Sequence, residues 1–228
     1  MSLLHREPRP LSRDRAPVRF RDDRLFLIAC DDRYAPAQYF EFSRIPRVRI
    51  LVDPTIDTKS APQHVLSRLL AGRDKEGLEP DDECWLVLDT DHNVRPGHRA
   101  TFIQTIQDAK AAGIEVALSC PCFEFWLLLH HVTEDEAAGL TNCAEIQDLI
   151  RLKVGSYNKL RLQREHFRVG SAAEAILRSE GLDATVPGGV IPQEPTTRVY
   201  KLLRAMRAKT LPSELPPELR LKPGMEPR

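Results

Sequence analysis

Four short apolar runs alternate with segments of helical periodicity in the first half of this chain. The runs cover residues 25–30, 48–52, 84–88 and 114–119, and the helical segments cover residues 36–44, 60–72 and 97–112. A strand, a helix and a further strand in repetition are typical of a parallel sheet covered by helices. Runs that are apolar without alternation suit strands that are buried on both faces. The sequence therefore predicts an α/β fold with a mostly parallel sheet flanked by helices.

Acidic residues follow two of these apolar runs. Asp31 and Asp32 come directly after the first run, and Asp89 and Asp91 close the third. Ligands of open α/β sheets bind at the carboxyl ends of the strands. Carboxylates gathered there repel one another unless a positive charge lies between them, and a hard divalent cation meets that need. The alternative is an ordinary polar loop, with Asp91 in an Asx turn or at a helix N-cap.

Residues 121–131 predict a buried helix, because their apolar side chains cover most of its circumference and Pro121 suits a first turn. Glu124 lies in that first turn. The positive end of the helix dipole is one explanation for an acidic residue there. The other is a carboxylate directed at the strand ends, beside the aspartates. His130 and His131 are interpreted as core or boundary histidines, since no residue at i+4 completes a metal-binding pair.

The second half of the chain is helical and partly basic. Helices are predicted over residues 143–152, 153–168 and 171–180, and a last helix, 198–208, is expected to be capped by Thr196 or Thr197. The segment 151–168 carries six basic side chains against one acidic one. Its residues Lys159, Arg161 and Arg164 form either a solvated helix face or a contact for phosphate groups.

The chain divides by composition into four parts: a flexible basic arm at 1–22, an α/β core at 23–135, a helical portion at 136–210 and a Pro-rich tail at 211–228. The net charge is zero, so no overall field draws the protein to nucleic acid or to a membrane. No stretch is as apolar as a signal peptide or a membrane span. Five cysteines are too few and too scattered for a disulfide scaffold, and Cys30, Cys84 and Cys120, which lie in apolar runs, indicate reduced, buried thiols in a cytoplasmic protein.

Four blocks of the sequence form a distinctive set. They are the strand ending at Cys30 with Tyr39-Phe40 beyond it, Asp89-x-Asp91, Ser119-x-Pro121-Cys122-Phe123-Glu124-x-Trp126-Leu-Leu-Leu-His130, and Pro195-Thr196-Thr197-x-Val199-Tyr200. These blocks, in this order, resemble the RloB family, phage-resistance proteins with a Toprim-like nuclease core, and the resemblance spans about residues 24–208. The resemblance implies a Toprim-like sheet with a helical C-terminal portion. It also implies divalent-metal-dependent cleavage of DNA or RNA in antiphage defence, with a partner protein of the same system as a further possibility.

The resemblance also assigns roles to single residues. Asp31, or Asp32 in its place, would bind Mg²⁺ or Mn²⁺ together with Asp89 and Asp91, and Asp31 could instead be the general base. Glu124 would be a further catalytic carboxylate, as a ligand or behind the ligands. Lys159, Arg161 and Arg164, which come from the basic segment and not from the matching blocks, would contact the phosphate backbone of such a substrate.

This chain departs from the family at its first strand. The family pattern there is Cys-Glu-Gly-Glu, whereas this chain has Cys30-Asp31-Asp32-Arg33. The altered motif favours a second hypothesis, a nucleic-acid-binding or partner subunit with a decayed metal site. A nucleotide hydrolase using the same carboxylates is a third hypothesis and ranks last, because the chain has no glycine-rich phosphate loop.

Overall fold

The structure is a computed structural model that describes residues 23–55, 59–167, 169–186, 189–211 and 213–215. The basic arm proposed for residues 1–22 and most of the Pro-rich tail lie outside the described residues.

Five strands form one sheet in the order β2-β1-β3-β4-β5. The strands are β1 (Arg24–Cys30), β2 (Val48–Asp53), β3 (Glu83–Asp89), β4 (Glu115–Cys120) and β5 (Thr196–Thr197). The helices are α1 (Ala35–Phe42), α2 (Pro62–Glu76), α3 (Arg99–Ala111), α4 (Glu124–Leu128), α5 (Glu134–Ala137), α6 (Cys143–Val154), α7 (Val169–Thr185) and α8 (Val199–Ala208). The first four strands are parallel and β5 is antiparallel to β4. The expected α/β fold is confirmed.

Both faces of the central strands are buried, which explains why their sequences lack alternation. In β1, Phe26 and Ile28 belong to one hydrophobic cluster while Leu27 and Ala29 belong to the other. Helices α2 and α3 cover the face of Leu27, and α1, α4, α6, α7 and α8 cover the face of Phe26. Successive residues of a strand point to opposite faces, so an apolar residue is needed at every position.

The register brings the carboxyl ends of the central strands side by side. Cys30 of β1 pairs with Val87 of β3, and Asp89 of β3 pairs with Ser119 of β4. The residues that directly follow β1 and β3 therefore share one edge of the sheet.

The prediction of a helix over residues 153–168 is wrong. Helix α6 ends at Val154, and Gly155 follows it in the left-handed conformation with φ 80°. Glycine adopts this conformation without a steric penalty and commonly ends helices. Beyond it the chain forms turns that bury Leu162 and Phe167. These two are five residues apart, a spacing that does not form an apolar stripe on a helix.

Smaller differences concern helix ends. Helix α7 continues past Gly181 to Thr185, and α4 is limited to Glu124–Leu128. The N-cap of α2 is Ala61 without a side-chain hydrogen bond, one residue later than the expected Ser60. Within the described ranges, no helix combines the length and the apolar character that crossing a membrane requires.

Candidate active site

The strand order places a crevice between β1 and β3. The chain moves from β1 outward to β2 and then returns to the opposite side of β1 to form β3. At this reversal the loops after β1 and β3 leave in opposite directions, which opens a crevice at the carboxyl ends of these two strands. Asp31 follows β1 directly and Asp89 is the last residue of β3. Both aspartates therefore lie where ligands bind in sheets of this kind.

Asp31 and Asp89 are in direct contact. The backbone N–H of Asp89 donates a 2.9 Å hydrogen bond to Oδ2 of Asp31. Burial raises the pKa of Asp31 to about 7, against the effect of this hydrogen bond and with added repulsion from Asp32 and Asp91. Burial and the charge of Asp31 raise the pKa of Asp89 well above its usual value, and Glu124 adds to this. Negative charge at this pair is therefore poorly compensated by the protein.

One oxygen of the pair also has no hydrogen-bond partner. Oδ1 of Asp89 is buried and, among the residues that the structure describes, no donor reaches it. A buried carboxylate oxygen without a donor costs free energy, so it indicates a missing proton or cation.

Asp91 lies on the loop after β3, and its backbone is fixed by the end of β4. Its N–H donates to the carbonyl oxygen of Pro121 at 3.0 Å, and the N–H of Thr90 donates to the same oxygen at 3.1 Å. The carboxylate of Asp91 is 3.6 Å from Nε2 of His92 and raises the pKa of both Asp31 and Asp89. Its Oδ1 also accepts the N–H of His92 at 2.5 Å, a local turn contact, while the N-cap of α3 is His98.

Lys159 forms ion pairs with two buried acids of the site. Its ammonium contacts Oδ2 of Asp32 and lies 3.4 Å from Oε1 of Glu124. Burial works against the charge of Lys159, but Glu124 and Asp32 outweigh it and raise the lysine pKa above its usual value. Asp32 and Glu124 are thus the compensated acids of the site, in contrast to Asp31 and Asp89.

Glu124 has two further partners in the C-terminal half of the chain. Its Oε1 accepts hydrogen bonds from Nε2 of Gln147 at 3.1 Å and from the hydroxyl of Tyr157 at 3.4 Å. The side chain of Glu124 is buried, and its charge reaches Asp89. It therefore lies behind the aspartates and positions Lys159.

The sequence did not identify Gln147 as a residue of the site. The only signal for it is a polar side chain beside Ile146, within a helix whose apolar residues face the core.

A cavity of about 720 Å³ opens over the aspartates. Its lining includes the expected site residues Asp31, Asp89, Asp91 and Lys159. Arg161 and Arg164 are exposed and lie outside this lining. The structure thus gathers four of the seven residues expected from the sequence around one cavity and reaches a fifth, Glu124, through Lys159.

The cavity also has a wall and rim that sequence reasoning did not assign. They comprise the basic or polar residues Arg33, Ser60, Gln63, His92, Asn93, Arg95, His98 and Thr101, and the aromatic and apolar residues Tyr34, Ala61, Pro62 and Phe102. Arg33 and Tyr34 come from the loop after β1, and the loop after β3 provides His92, Asn93, Arg95 and His98. The cavity thus has an acidic floor, formed by Asp31, Asp89 and Asp91, and a partly cationic rim that includes Arg33 and Arg95.

The aspartates fit a hard cation by chemistry and charge. Within the part of the chain that the structure describes, no three His, Cys, Asp or Glu side chains are already spaced as the ligands of one ion. Charge and donor chemistry, rather than a preformed ligand set, are therefore what favour a cation beside Asp31, Asp89 and Asp91. The unpartnered Oδ1 of Asp89 is the strongest single indication.

His130 does not belong to the site. Its Nε2 is hydrogen-bonded to the hydroxyl of Tyr39 at 3.2 Å, and its Nδ1 to Oγ of Ser171 at 2.8 Å. Burial lowers the pKa of His130 to about 3, so the ring is neutral. The interpretation of His130 as a core histidine is confirmed.

Two cysteines flank the site as a pair that the sequence did not suggest. Cys122 and Cys143 form a disulfide, and Sγ of Cys143 is 3.8 Å from Oδ2 of Asp91. Cys30, Cys84 and Cys120 are free, as expected.

The sequence pattern of the RloB-like proteins matches residues 26–206, from β1 to α8, and so includes both loops of the cavity. The chain belongs to the RloB-like protein family. Comparisons with curated proteins and with solved structures find no match. In this RloB-like protein the family region contains the whole sheet except the first two residues of β1.

Proposed function

We propose that this RloB-like protein is a divalent-metal-dependent nuclease that cleaves phosphodiester bonds of DNA or RNA in antiphage defence. The observation that supports it most is the uncompensated pair Asp31 and Asp89, with Asp91 beside it, at the crevice between β1 and β3. The resemblance to proteins with a Toprim-like nuclease core points to the same residues. A cytoplasmic location and a partner protein from the same defence system are parts of this proposal.

Asp31, Asp89 and Asp91 would hold Mg²⁺ or Mn²⁺ through their carboxylate oxygens. The ion would polarise the phosphodiester, stabilise charge on the departing oxygen and orient the attacking water.

The residues of the chain then have separate tasks. Asp31, at the floor of the cavity, would alternatively be the general base that accepts the proton of the attacking water, with the ion then held by Asp89 and Asp91. Lys159 holds Asp32 and Glu124 in place and offsets part of their negative charge beside the aspartate pair. Part of the Lys159 side chain is exposed to the cavity, where it also attracts a phosphate group.

The motif Cys30-Asp31-Asp32-Arg33, which differs from the family pattern, is compatible with a nuclease. Among the described residues other than glycine, only Arg47 has a positive φ, so Asp32 occupies an ordinary backbone conformation. Its Oδ1 accepts hydrogen bonds from the N–H groups of Tyr34 and Ala35 at 2.6 and 3.1 Å. The turn therefore needs no glycine here, and Asp32 stabilises it directly.

The test is cleavage of labelled DNA and RNA, single- and double-stranded, with Mg²⁺ or Mn²⁺. We expect Asp89→Asn and Asp91→Asn to lower the cleavage rate by roughly 100-fold or more, since even outer partners of metal ligands are worth about 10- to 100-fold. The matched control is Asp74→Asn, an exposed acid outside the cavity. Circular dichroism verifies the fold of each variant. Wild-type cleavage rates in Asp89→Asn would exclude the proposal.

The second candidate is a nucleic-acid-binding or partner subunit without catalysis. The ion pairs of Lys159 favour it, because a lysine already supplies positive charge to two of the site's acids. This candidate predicts nucleic-acid binding that is indifferent to Mg²⁺ and unaffected by Asp89→Asn.

A further inference from the structure

Tyr34 is an exposed aromatic residue in the wall of the acidic cavity. Its residue exposure is 37%, and it is the only aromatic one among the large hydrophobic residues that the structure describes as exposed. The others are Leu152, Leu160, Val190 and Leu211, and none of them lines the cavity. An aromatic ring that stays in contact with water beside a candidate active site is available for stacking on a ligand.

The backbone of Tyr34 is held firmly. Its N–H donates to Oδ1 of Asp32 at 2.6 Å, and its carbonyl oxygen accepts from the backbone N–H and the side-chain Nε2 of Gln38 at 3.2 and 3.0 Å. The ring is therefore attached to the same turn that carries Asp31, and its distance from the aspartates is set by the fold. A fixed aromatic residue loses little conformational freedom when a ligand stacks on it.

Two arginines add positive charge to this wall. The guanidinium of Arg33 lies 5.4 Å from the ring centroid of Tyr34. Arg95 comes from the loop after β3 and lines the same cavity. Both side chains are exposed, and neither forms an ion pair with any residue that the structure describes. Cations without partners around an acidic floor suit a ligand that carries phosphates on either side of the floor.

We propose that Tyr34, Arg33 and Arg95 form a subsite for an unpaired nucleotide, and that the substrate is therefore single-stranded DNA or RNA or a single-stranded end. The ring of Tyr34 stacks on one base, and the two arginines bind the neighbouring phosphates. This inference rests on the proposed function, because it places the base next to the aspartates that would act on its phosphodiester.

Physical reasons exclude an intact duplex from this subsite. Bases in a duplex are already stacked on their neighbours, so Tyr34 can stack only on a base that has left the helix or was never in one. The cavity volume of about 720 Å³ lies in the range of pockets that enclose small molecules, about 300–1,000 Å³. Such a space admits a nucleotide and its flanking phosphates but not a double helix.

The subsite should also be tolerant of sequence. Stacking uses the face that every base has, and phosphate contacts carry no sequence information. No feature of the proposal requires a particular base.

The test measures binding in EDTA, where metal-dependent cleavage is absent. The probes are fluorescein-labelled single strands of DNA and RNA of about 12 nucleotides, within the usual span of single-strand sites, and blunt duplexes of the same sequence. We expect tighter binding of the single strands. Tyr34→Ala should weaken it about 5- to 100-fold, the range for loss of one base–aromatic stack, while Tyr34→Phe keeps the ring and stays within about twofold.

Arg95→Gln should weaken binding and lower the slope of log affinity against log salt by roughly one, as expected for loss of one phosphate contact. The matched control is Leu152→Ala, an exposed apolar residue outside the cavity, which should bind like the wild type. Circular dichroism confirms that each variant is folded.

Three results would overturn the subsite: equal affinity for duplex and single strand, wild-type binding by Tyr34→Ala, or nucleoside monophosphates that bind as tightly as the oligonucleotides. A failure of the proposed nuclease looks different. Tyr34-dependent binding without any Asp89-dependent cleavage would keep the subsite and exclude the enzyme. Asp89-dependent cleavage of duplex that Tyr34→Ala leaves unchanged would keep the enzyme and exclude the subsite.

Discussion

The acidic residues of the site fall into two classes, those with a cationic partner and those without one. Asp32 and Glu124 share the ammonium of Lys159, whereas Asp31 and Asp89 have no cationic partner among the described residues. The sequence predicted that acids would gather here, because an acidic residue directly after a buried parallel strand lies at the carboxyl edge of the sheet. It could not show which acids are compensated, because Lys159 pairs with Asp32 and Glu124 across 127 and 35 residues of chain, and no local pattern reveals such pairs.

The titration of Asp31 should make the free energy of unfolding of the metal-free protein fall as pH rises. The pKa of Asp31 is about 7 in the folded state against 3.8 for a free aspartate, so the folded state holds a proton more tightly between these values. Stability contributed by that proton is present near pH 4 and is lost as pH rises toward 7. Asp89→Asn removes a like charge that Asp31 repels, and we expect it to stabilise the protein at pH 8 by on the order of 1 kcal/mol.

Urea unfolding in EDTA at pH 5 and pH 8 measures both effects. Asp74→Asn controls for the loss of a surface charge, and it should shift stability little at either pH. If Asp89→Asn destabilises the protein equally at both pH values, the repulsion between the aspartates is not what limits stability.

Strands and helices with a continuous or periodic apolar pattern were predictable from the sequence. A strand that forms only by pairing with a distant strand was not. Strands β1 to β4 and helices α2 and α3 follow from apolar runs and helical spacing, because burial acts directly on these side chains. Strand β5 has two threonines and no apolar run, yet both are fully buried and pair with Ser119 and Cys120. Its presence depends on the open edge of β4, which no local pattern reveals.

The hydroxyl of Thr197 should be what fixes β5 on this edge. It is hydrogen-bonded to Oγ of Ser119 at 2.9 Å and accepts the N–H of Val199, the first residue of α8, at 3.3 Å. Thr197→Val keeps the shape but leaves both groups without this partner. We expect a loss of about 1–3 kcal/mol in the free energy of unfolding, as for other buried polar groups left unsatisfied.

A double-mutant cycle with Ser119→Ala isolates this contact. The double variant should lose less stability than the sum of the two single variants, since both remove the same hydrogen bond. Additive losses would show that Thr197 and Ser119 do not stabilise each other.

Taken as a whole, the N- and C-terminal halves of the described chain share one hydrophobic cluster, while a second cluster lies on the other face of the sheet. A single hydrophobic cluster joins Phe26 of β1 and Trp126 of α4 to Ile150 of α6 and Leu203 of α8. Contacts of the site cross the same boundary, since Lys159 and Gln147 reach Glu124 and Asp32. The core at 23–135 and the helical portion at 136–210, which composition separates, are thus joined by both packing and charge.

Because of this connection, binding of the proposed metal ion would be a property of the whole molecule. An ion held by Asp31, Asp89 and Asp91 binds only the folded chain, because these residues meet only when β1 and β3 pair. The gain in free energy of unfolding is RT ln(1 + [L]/Kd), about 2.7 kcal/mol when the ion is present at 100 times its Kd. We therefore expect Mg²⁺ to raise the melting temperature of one cooperative transition, by several degrees for a chain of this size.

Scanning calorimetry at pH 8, in EDTA and across a series of Mg²⁺ concentrations, measures the shift. Asp89→Asn should start from a higher melting temperature in EDTA and then respond little to Mg²⁺, while Asp74→Asn should respond as the wild type does. The opposite pattern, an equal response in Asp89→Asn and the wild type, would place the ion elsewhere. Two transitions, of which Mg²⁺ moves only one, would mean that the C-terminal half folds independently despite sharing the sheet and the core.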